Sequence, residues 1–150
     1  VITELGADAE KCRGNTPGQW VYKDKTAIVY VDAWYIESEK RSYFQAMTPV
    51  MRLPTEDKHA EFFKELLELN DKMFDVAFTL FNGFAWIKNI RETEGLDRSE
   101  VMATMTRVAN YKARYDVRLK EKYGEAALPP AGAPGAASDL PAAPHAPGKA

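Results

Sequence analysis

The hydrophobic residues between positions 55 and 75 follow a helical period. They recur at intervals of three and four residues, which places them on one side of a helix, while charged residues occupy the other side. Thr55 is in position to cap this helix, and Glu56 and Asp57 follow at its positive end. The helical stripe consists of Phe62, Leu66, Leu69 and Met73.

A β-hairpin is predicted directly after this helix, with its turn at Asn82-Gly83. Asn-Gly between two alternating apolar runs favours a type I′ turn, which needs positive φ at both central residues. A two-residue loop then places Phe81 opposite Phe84 and Thr79 opposite Trp86. Both faces of this hairpin carry large apolar groups, and the other elements are expected to cover or extend it.

Alternation with a period of two predicts three further strands before the helix, at 19–23, 26–37 and 42–53. The second of these is apolar on both faces apart from Asp32, which indicates a central strand or one covered by a partner. Pro49 has no amide hydrogen, so the third strand is predicted to bulge there or to lie at an edge.

Helical segments are predicted at both ends of this series of elements. Residues 2–12 show a weak helical period, which we interpret as the end of a helix. Asp97 and Glu100 match a capping box, and apolar residues at helical spacing continue from there to Gly124, a residue type that often follows a helix. The sequence therefore predicts five strands and two main helices in the order β-β-β-α-β-β-α after a short N-terminal helix.

The composition divides the chain into one domain and a tail. Residues 126–150 are almost entirely Ala, Pro, Gly and Ser, and hold six of the nine prolines. Such a segment has too little large apolar surface to offset its ordering entropy, so we predict a disordered tail. Residues 1–125 suffice for a single core. The chain begins with Val, so further residues upstream are not excluded.

Charge is distributed unevenly, although the formal net charge is only −2. Residues 55–100 hold eleven acids and six bases, whereas residues 101–122 hold six bases and two acids. Ordinary solvated charge that complements the helix dipole explains this pattern, and a phosphate-binding face is the alternative. The bases that would then contact nucleic acid are Arg107, Arg114, Arg118 and Lys122.

No catalytic, metal-binding or nucleotide-binding motif is recognisable, so we expect neither an enzyme nor a metal or cofactor site. His59 has Asp57 and Glu61 nearby but lacks further ligands at metal-binding spacing. Cys12 is the only cysteine, which excludes an internal disulfide and fits a reducing, cytoplasmic compartment. No apolar run reaches the ~20 residues of a membrane-spanning helix, so we expect no membrane partner.

The remaining signal is a surplus of apolar surface. A small sheet with apolar residues on both faces and few helices cannot bury all of it within one chain, which indicates dimerisation or capture of a protein partner. Nucleic-acid stacking is a weaker explanation of the aromatic residues. The predicted interface residues, on the helix and on the hairpin, are Phe62, Leu66, Leu69, Phe81, Phe84 and Trp86.

Several short motifs, taken in order, resemble the YbjN-like family of bacterial proteins. They are Pro49-Val50-Met51-Arg52-Leu53-Pro54, Phe62-Phe63-Lys64-Glu65-Leu66-Leu67-Glu68-Leu69-Asn70, Ala77-Phe78 and Glu94-Gly95-Leu96-Asp97. The similarity covers about residues 17–123, and the first helix is shorter here than is usual in that family. The domain of that family resembles type III secretion chaperones of the CesT kind.

The resemblance implies an α+β, secretion-chaperone-like fold with a twisted antiparallel sheet of about five strands, a homodimer and a non-enzymatic role in binding other proteins. It also implies a loose link to regulation, motility and stress responses in bacteria. We therefore expect a cytoplasmic, dimeric adaptor or chaperone-like regulator with an unidentified protein partner. The alternative is a nucleic-acid-binding accessory protein that acts directly through its basic helix or through a DNA-handling partner.

Overall fold

The computed structural model describes residues 1–23 and 27–124 of the chain. Its strands are β1 (Gln19–Lys23), β2 (Ile28–Ile36), β3 (Arg41–Arg52), β4 (Ala77–Phe81) and β5 (Phe84–Glu92). Its helices are α1 (His59–Asn70), preceded by a 3-10 turn at Glu56–Lys58, and α2 (Arg98–Tyr123). The predicted tail at 126–150, the domain boundary at 125 and the first residue of the predicted strand 26–37 lie outside the described residues.

The five strands form one antiparallel sheet in the spatial order β1-β2-β3-β5-β4. β5 rather than β4 lies beside β3, so the strand that follows α1 in the chain forms the outer edge of the sheet. The predicted α+β class and the five-stranded antiparallel sheet are confirmed. The predicted N-terminal helix is wrong, since residues 1–12 form successive turns. Gly6 has a φ of +85°, a conformation that a right-handed helix does not contain.

The β4–β5 hairpin forms with the predicted turn and register. Phe81 pairs with Phe84, and Thr79 pairs with Trp86. At Asn82-Gly83 the φ angles are 48° and 74°, as a type I′ turn requires. Local turn chemistry therefore sets the alignment of these two strands, and with it the face on which each side chain lies.

β3 lies in the middle of the sheet and bulges once. Pro49 pairs with Trp86 of β5 and Met51 pairs with Ala85, so Val50 is the extra residue. The predicted bulge is thereby confirmed. It allows a residue without an amide hydrogen to lie in a strand that has neighbours on both sides.

The main core lies between the two helices and one face of the sheet, which we call the first face. It contains apolar residues from both helices and from every strand. α2 begins at Asp97, whose side chain accepts a hydrogen bond from the amide of Glu100, while the Glu100 carboxylate accepts one from the amide of Asp97. The predicted capping box is thereby confirmed. Fully buried core residues are Val29, Ala46, Phe62, Ala85, Ile87, Val108 and Leu119.

The β1 edge of the sheet is covered by the preceding segment of the chain. The amide of Val21 donates to the carbonyl of Cys12 at 2.6 Å, and the amide of Gly14 donates to the carbonyl of Gln19 at 2.8 Å. Main-chain groups of β1 are therefore paired by residues 12–14, which blunts this edge against pairing with another chain.

Candidate protein-binding surface

The second face of the sheet points away from α1 and α2. It carries a small apolar cluster of strand residues at its centre. The ring of Tyr30 packs edge-on against Trp86 with 5.7 Å between ring centroids, and Met47 completes the cluster. Half-buried side chains that pack around this cluster are Val21, Ile28 and Phe84.

On the hairpin side of the second face, accessible apolar side chains surround the buried side chain of Trp86. Trp86 is 0% exposed, whereas Phe81 is 36% and Ile90 is 47% exposed. The indole Nε1 of Trp86 donates to the carbonyl of Phe81 at 3.0 Å. Phe84 lies under the guanidinium of Arg52, 5.0 Å from the ring centroid. Of the three interface residues predicted in the hairpin, Phe81 and Phe84 are accessible and Trp86 supports them from within.

A polar row crosses the second face beside the central cluster. The carboxylate of Asp32 is buried and accepts hydrogen bonds from Gln19 Nε2 at 2.9 Å and Gln45 Nε2 at 3.1 Å. A buried carboxylate needs such donors, and the two amides supply one to each oxygen. Two residues further along β2, Trp34 stacks on Tyr43 with 5.8 Å between ring centroids. The second face is therefore apolar at the hairpin and mixed polar and aromatic at β2 and β3.

The three interface residues predicted on α1 lie in the main core. Phe62 is 0% exposed, and Leu66 and Leu69 are each 4% exposed. The ring of Phe62 packs edge-on against Tyr123 of α2 at 5.0 Å. These side chains hold α1 against the rest of the same chain and are not available at its surface. The interface prediction therefore now rests on the hairpin residues.

The four bases proposed for nucleic-acid contact share one side of α2, since they recur at helical spacing along it. Arg107 forms an ion pair with Asp75 in the segment between α1 and β4. Arg114 instead lies over the ring of Tyr111, with 5.7 Å from its guanidinium carbon to the ring centroid. Arg107 is thus matched by a carboxylate, and Arg114 is held by an aromatic ring.

The other two bases, Arg118 and Lys122, pair with Glu65 of α1. The hydroxyl of Tyr123 donates to the same carboxylate at 2.5 Å. Desolvation raises the pKa of Glu65, but hydrogen bonds from Lys122, Tyr123 and Arg118 outweigh it and lower the pKa to about 2. The same contacts raise the pKa of Lys122. Both bases are neutralised within the chain, which weakens their attraction for phosphate.

His59 and Cys12 lie in separate parts of the structure. The Nε2 atom of His59 is 2.9 Å from the carbonyl oxygen of Pro54, and its ring packs on Phe63 at 5.0 Å. Cys12 is a half-buried free thiol. Across residues 1–23 and 27–124, no three His, Cys, Asp or Glu side chains are arranged to hold a metal ion. No helix in the same ranges is long and apolar enough to span a bilayer.

Sequence reasoning missed two polar arrangements. Gln19 and Gln45 converge on Asp32, and the only signal was an acid that interrupts an apolar strand face. Asn70, the last residue of α1, bonds to the main chain of Phe78 in β4. An Asn at a helix end is visible in the sequence, but its partner lies across a chain reversal that local patterns do not specify.

No protein-family model matches this chain, and no curated protein is significantly similar to it in sequence. The resemblance to the YbjN-like family therefore stays a prediction, as does the secretion-chaperone-like form of the fold. Since a fold alone does not determine function, the function has to be argued from the surfaces of the protein.

Proposed function

We propose that this protein is a non-enzymatic adaptor or chaperone-like regulator that acts as a homodimer and docks through the hairpin side of its second face. The observation that carries this proposal is a set of accessible apolar side chains on β4 and β5, which we call the rim: Phe81 and Phe84 lie at the turn, and Ile90 lies at the far end of β5, beyond Lys88. The core residues contributed by α1 and α2 belong to the first face, so these rim residues have no helical cover in the described chain. Aromatic side chains over a packed support are typical anchors of protein interfaces.

The hairpin end of this rim is preorganised, which also favours binding. Trp86 is buried beneath it and fixes the main chain at Phe81 through its indole nitrogen. The turn at Asn82-Gly83 adopts its preferred conformation, and Arg52 holds the ring of Phe84. Little side-chain freedom remains to be lost when a partner docks, which lowers the entropic cost of association.

The biological setting follows from the sequence resemblance. A YbjN-like protein would act in the bacterial cytoplasm, in regulation or in a stress response, and would bind a protein partner. A single half-buried thiol is compatible with a reducing compartment. The partner itself would be recognised by apolar and aromatic contacts rather than by charge, because the rim consists of such residues.

Lysine at either accessible apolar position of the rim is expected to weaken dimerisation. Phe81→Lys and Ile90→Lys each bring a charge into the proposed interface, where it would have to be desolvated without a partner. We expect the dissociation constant to rise by about tenfold or more for each variant, equivalent to ~1.4 kcal/mol. Sedimentation equilibrium of the full chain measures it.

Val117→Lys is the matched control for these variants. Val117 is 59% exposed on α2, away from the second face, so its replacement removes a similar exposed apolar group without touching the rim. This variant should associate like the wild type. A wild-type chain that stays monomeric at tens of micromolar, or rim variants that dimerise as well as Val117→Lys, would contradict the proposal.

Direct nucleic-acid binding is the second candidate function, and Arg114 is the residue that favours it. Its guanidinium makes no ion pair with a carboxylate in residues 1–23 and 27–124, and it lies beside an aromatic ring. An Arg stacked on Tyr is found in single-strand binding surfaces. The other three bases are matched by Asp75 or Glu65, which makes this candidate the weaker one.

Arg114→Glu tests this second function without disturbing an ion pair. If the basic side of α2 binds single-stranded nucleic acid, the affinity of the variant for an oligothymidylate at low salt should be about tenfold lower than that of the wild type. One phosphate contact is lost, and the new carboxylate repels the phosphates. Fluorescence anisotropy measures this affinity, and Lys23→Glu, at an exposed position of β1, is the control for net charge. Absence of binding by the wild type at low salt rules out the nucleic-acid function and leaves the adaptor proposal intact.

A further inference from the structure

β4 lies at the outer edge of the sheet and pairs with β5 on one side only. In an antiparallel pair, successive residues alternate between those that bond to the neighbouring strand and those whose main-chain groups point outward. Phe78 is an outward residue, because its amide and carbonyl bond to a side chain of α1. Leu80, two residues further along, therefore also directs its amide and carbonyl outward.

A single side chain closes this edge at Phe78. The amide of Phe78 donates to Asn70 Oδ1 at 2.6 Å, and Asn70 Nδ2 donates to the carbonyl of Phe78 at 3.4 Å. The carboxamide thus offers one acceptor and one donor to one residue, as the backbone of an adjacent strand would. Asn70 replaces one residue of a sixth strand.

The two edges of the sheet are protected in very different ways. The β1 edge is covered by main-chain pairing with residues 12–14. The β4 edge has the Asn70 side chain, and its sequence Ala77–Phe81 contains no charge and no proline. Natural sheets usually guard their edges with charges, prolines or a covering segment, because an open edge is a template for another strand. Without Asn70, β4 would lack this protection.

We propose that the edge of β4 is a pairing surface for β4 of a second copy of this chain, and that Asn70 keeps it closed. A second copy is the occupant that fits, because an antiparallel edge can pair with itself about a two-fold axis without any other sequence. With the axis at Thr79, Phe78 of each copy lies opposite Leu80 of the other, and both residues direct their main-chain groups outward. The Asn70 carboxamide occupies the main-chain groups that Phe78 would offer in that register.

Exposed apolar side chains flank the closed edge. Leu80 is 49% exposed, and Leu67, one helical turn before Asn70 on the same side of α1, is 70% exposed. In this register the side chain of Leu80 would lie opposite Phe78 of the second copy. Apolar contact would then add to the main-chain hydrogen bonds once the edge opens.

Asn70→Ala tests the proposal, because it removes both hydrogen bonds to Phe78 with little change elsewhere. The variant should form assemblies of twice the wild-type mass in a concentration-dependent manner, measured by light scattering on the full chain. Hydrogen exchange supplies a second readout. The Leu80 amide should become protected in the concentrated variant, since pairing with a second strand is what protects an outward amide.

Three further variants make the result specific. Asn110→Ala, on the exposed side of α2, removes an asparagine elsewhere and should behave like the wild type. Adding Leu80→Lys to Asn70→Ala places a charge on the edge of each copy, with the two lysines diagonal across the axis, and should return the mass to that of the wild type. Asn70→Asp keeps an acceptor for the Phe78 amide and loses the donor, so it should associate less than Asn70→Ala; it also serves if the alanine variant does not fold.

This proposal does not depend on docking through the second face. The mass of each variant is compared with that of the wild-type protein, and the comparison holds whether the wild type is a monomer or a dimer. A wild-type mass for Asn70→Ala at every concentration, with Leu80 still unprotected, would overturn it. Doubling that persists after Leu80→Lys is added would also overturn it, since the chains would then associate through another surface.

Discussion

Replacing Phe62 by Ala is expected to lower the free energy of unfolding by about 3–5 kcal/mol, a large fraction of the ~5–15 kcal/mol that stabilises a typical domain. The side chain is 0% exposed and packs against Tyr123 at 5.0 Å and Phe63 at 5.8 Å. Truncation would leave a cavity where α1 meets α2. Urea unfolding followed by tryptophan fluorescence measures the change.

Leu67→Ala is the matched control, on the same helix and five residues further along the chain. Leu67 is 70% exposed, so its truncation should change the free energy of unfolding by less than ~0.5 kcal/mol. The pair also distinguishes core from interface. If Phe62→Ala unfolded like the wild type but dissociated a dimer, Phe62 would be an interface residue, as the sequence alone suggested, and its position in the core would be contradicted.

The position of Phe62 shows which structural information the helical periodicity of a sequence provides. The spacing of Phe62, Leu66 and Leu69 identified which side of α1 is buried, and that prediction is confirmed. The spacing did not predict which surface covers this side of α1. In the structure, α2 and the first face of the sheet of the same chain cover it. Helix period specifies a face, whereas the partner of that face depends on contacts between residues far apart in the sequence.

The hairpin was the most predictable element, because its information is local. Asn82-Gly83 sets both the turn type and the register, so Phe81 and Phe84 could be assigned as partners from the sequence. The placement of β5 beside β3 has no comparable local signal. The prediction of a helix in the N-terminal segment was wrong: its helical period was weak, and the segment forms turns with Gly6 at positive φ.

The candidate surface also has features that the sequence predicted and features that it did not. The alternation along β4 and β5 predicted that both faces are apolar, and the structure shows Phe81 and Phe84 partly exposed on the second face. The alternation could not reveal that Trp86 lies beneath them, because burial on the second face depends on the three-dimensional packing around the residue. Likewise, the bases of α2 were visible in the sequence, but the carboxylate of Glu65 that neutralises two of them lies on another helix.

Glu65 should make the stability of the protein fall as the pH decreases from about 4.5 to about 2. Its pKa is lowered from 4.5 to about 2 in the folded chain. A carboxyl with a lowered pKa contributes stability above its unfolded pKa, and this contribution is lost as the pH falls towards the folded value. The full pKa shift corresponds to ~3 kcal/mol of folding free energy. Solvent screens the interaction, because Arg118 and Lys122 are roughly half exposed, so the expected contribution is about 1–3 kcal/mol.

Glu65→Gln removes this titration and isolates its effect. At neutral pH the variant should be less stable than the wild type by about 1–3 kcal/mol, since two cations and the hydroxyl of Tyr123 lose their anionic partner. The difference should shrink as the pH falls below about 4.5, because the wild-type carboxyl then becomes protonated and also loses its charge. Urea unfolding of both proteins between neutral pH and about pH 3 measures the convergence.

Glu68→Gln shows what an ordinary surface carboxylate contributes on the same helix. Glu68 is 3.8 Å from Lys64 in an exposed pair, so its replacement should change stability by less than ~0.5 kcal/mol at any pH in this range. A Glu65→Gln variant that behaves like Glu68→Gln would mean that the cluster with Arg118 and Lys122 does not hold α1 against α2. Those two bases would then be free to attract phosphate, and the nucleic-acid function would gain support at the expense of the adaptor.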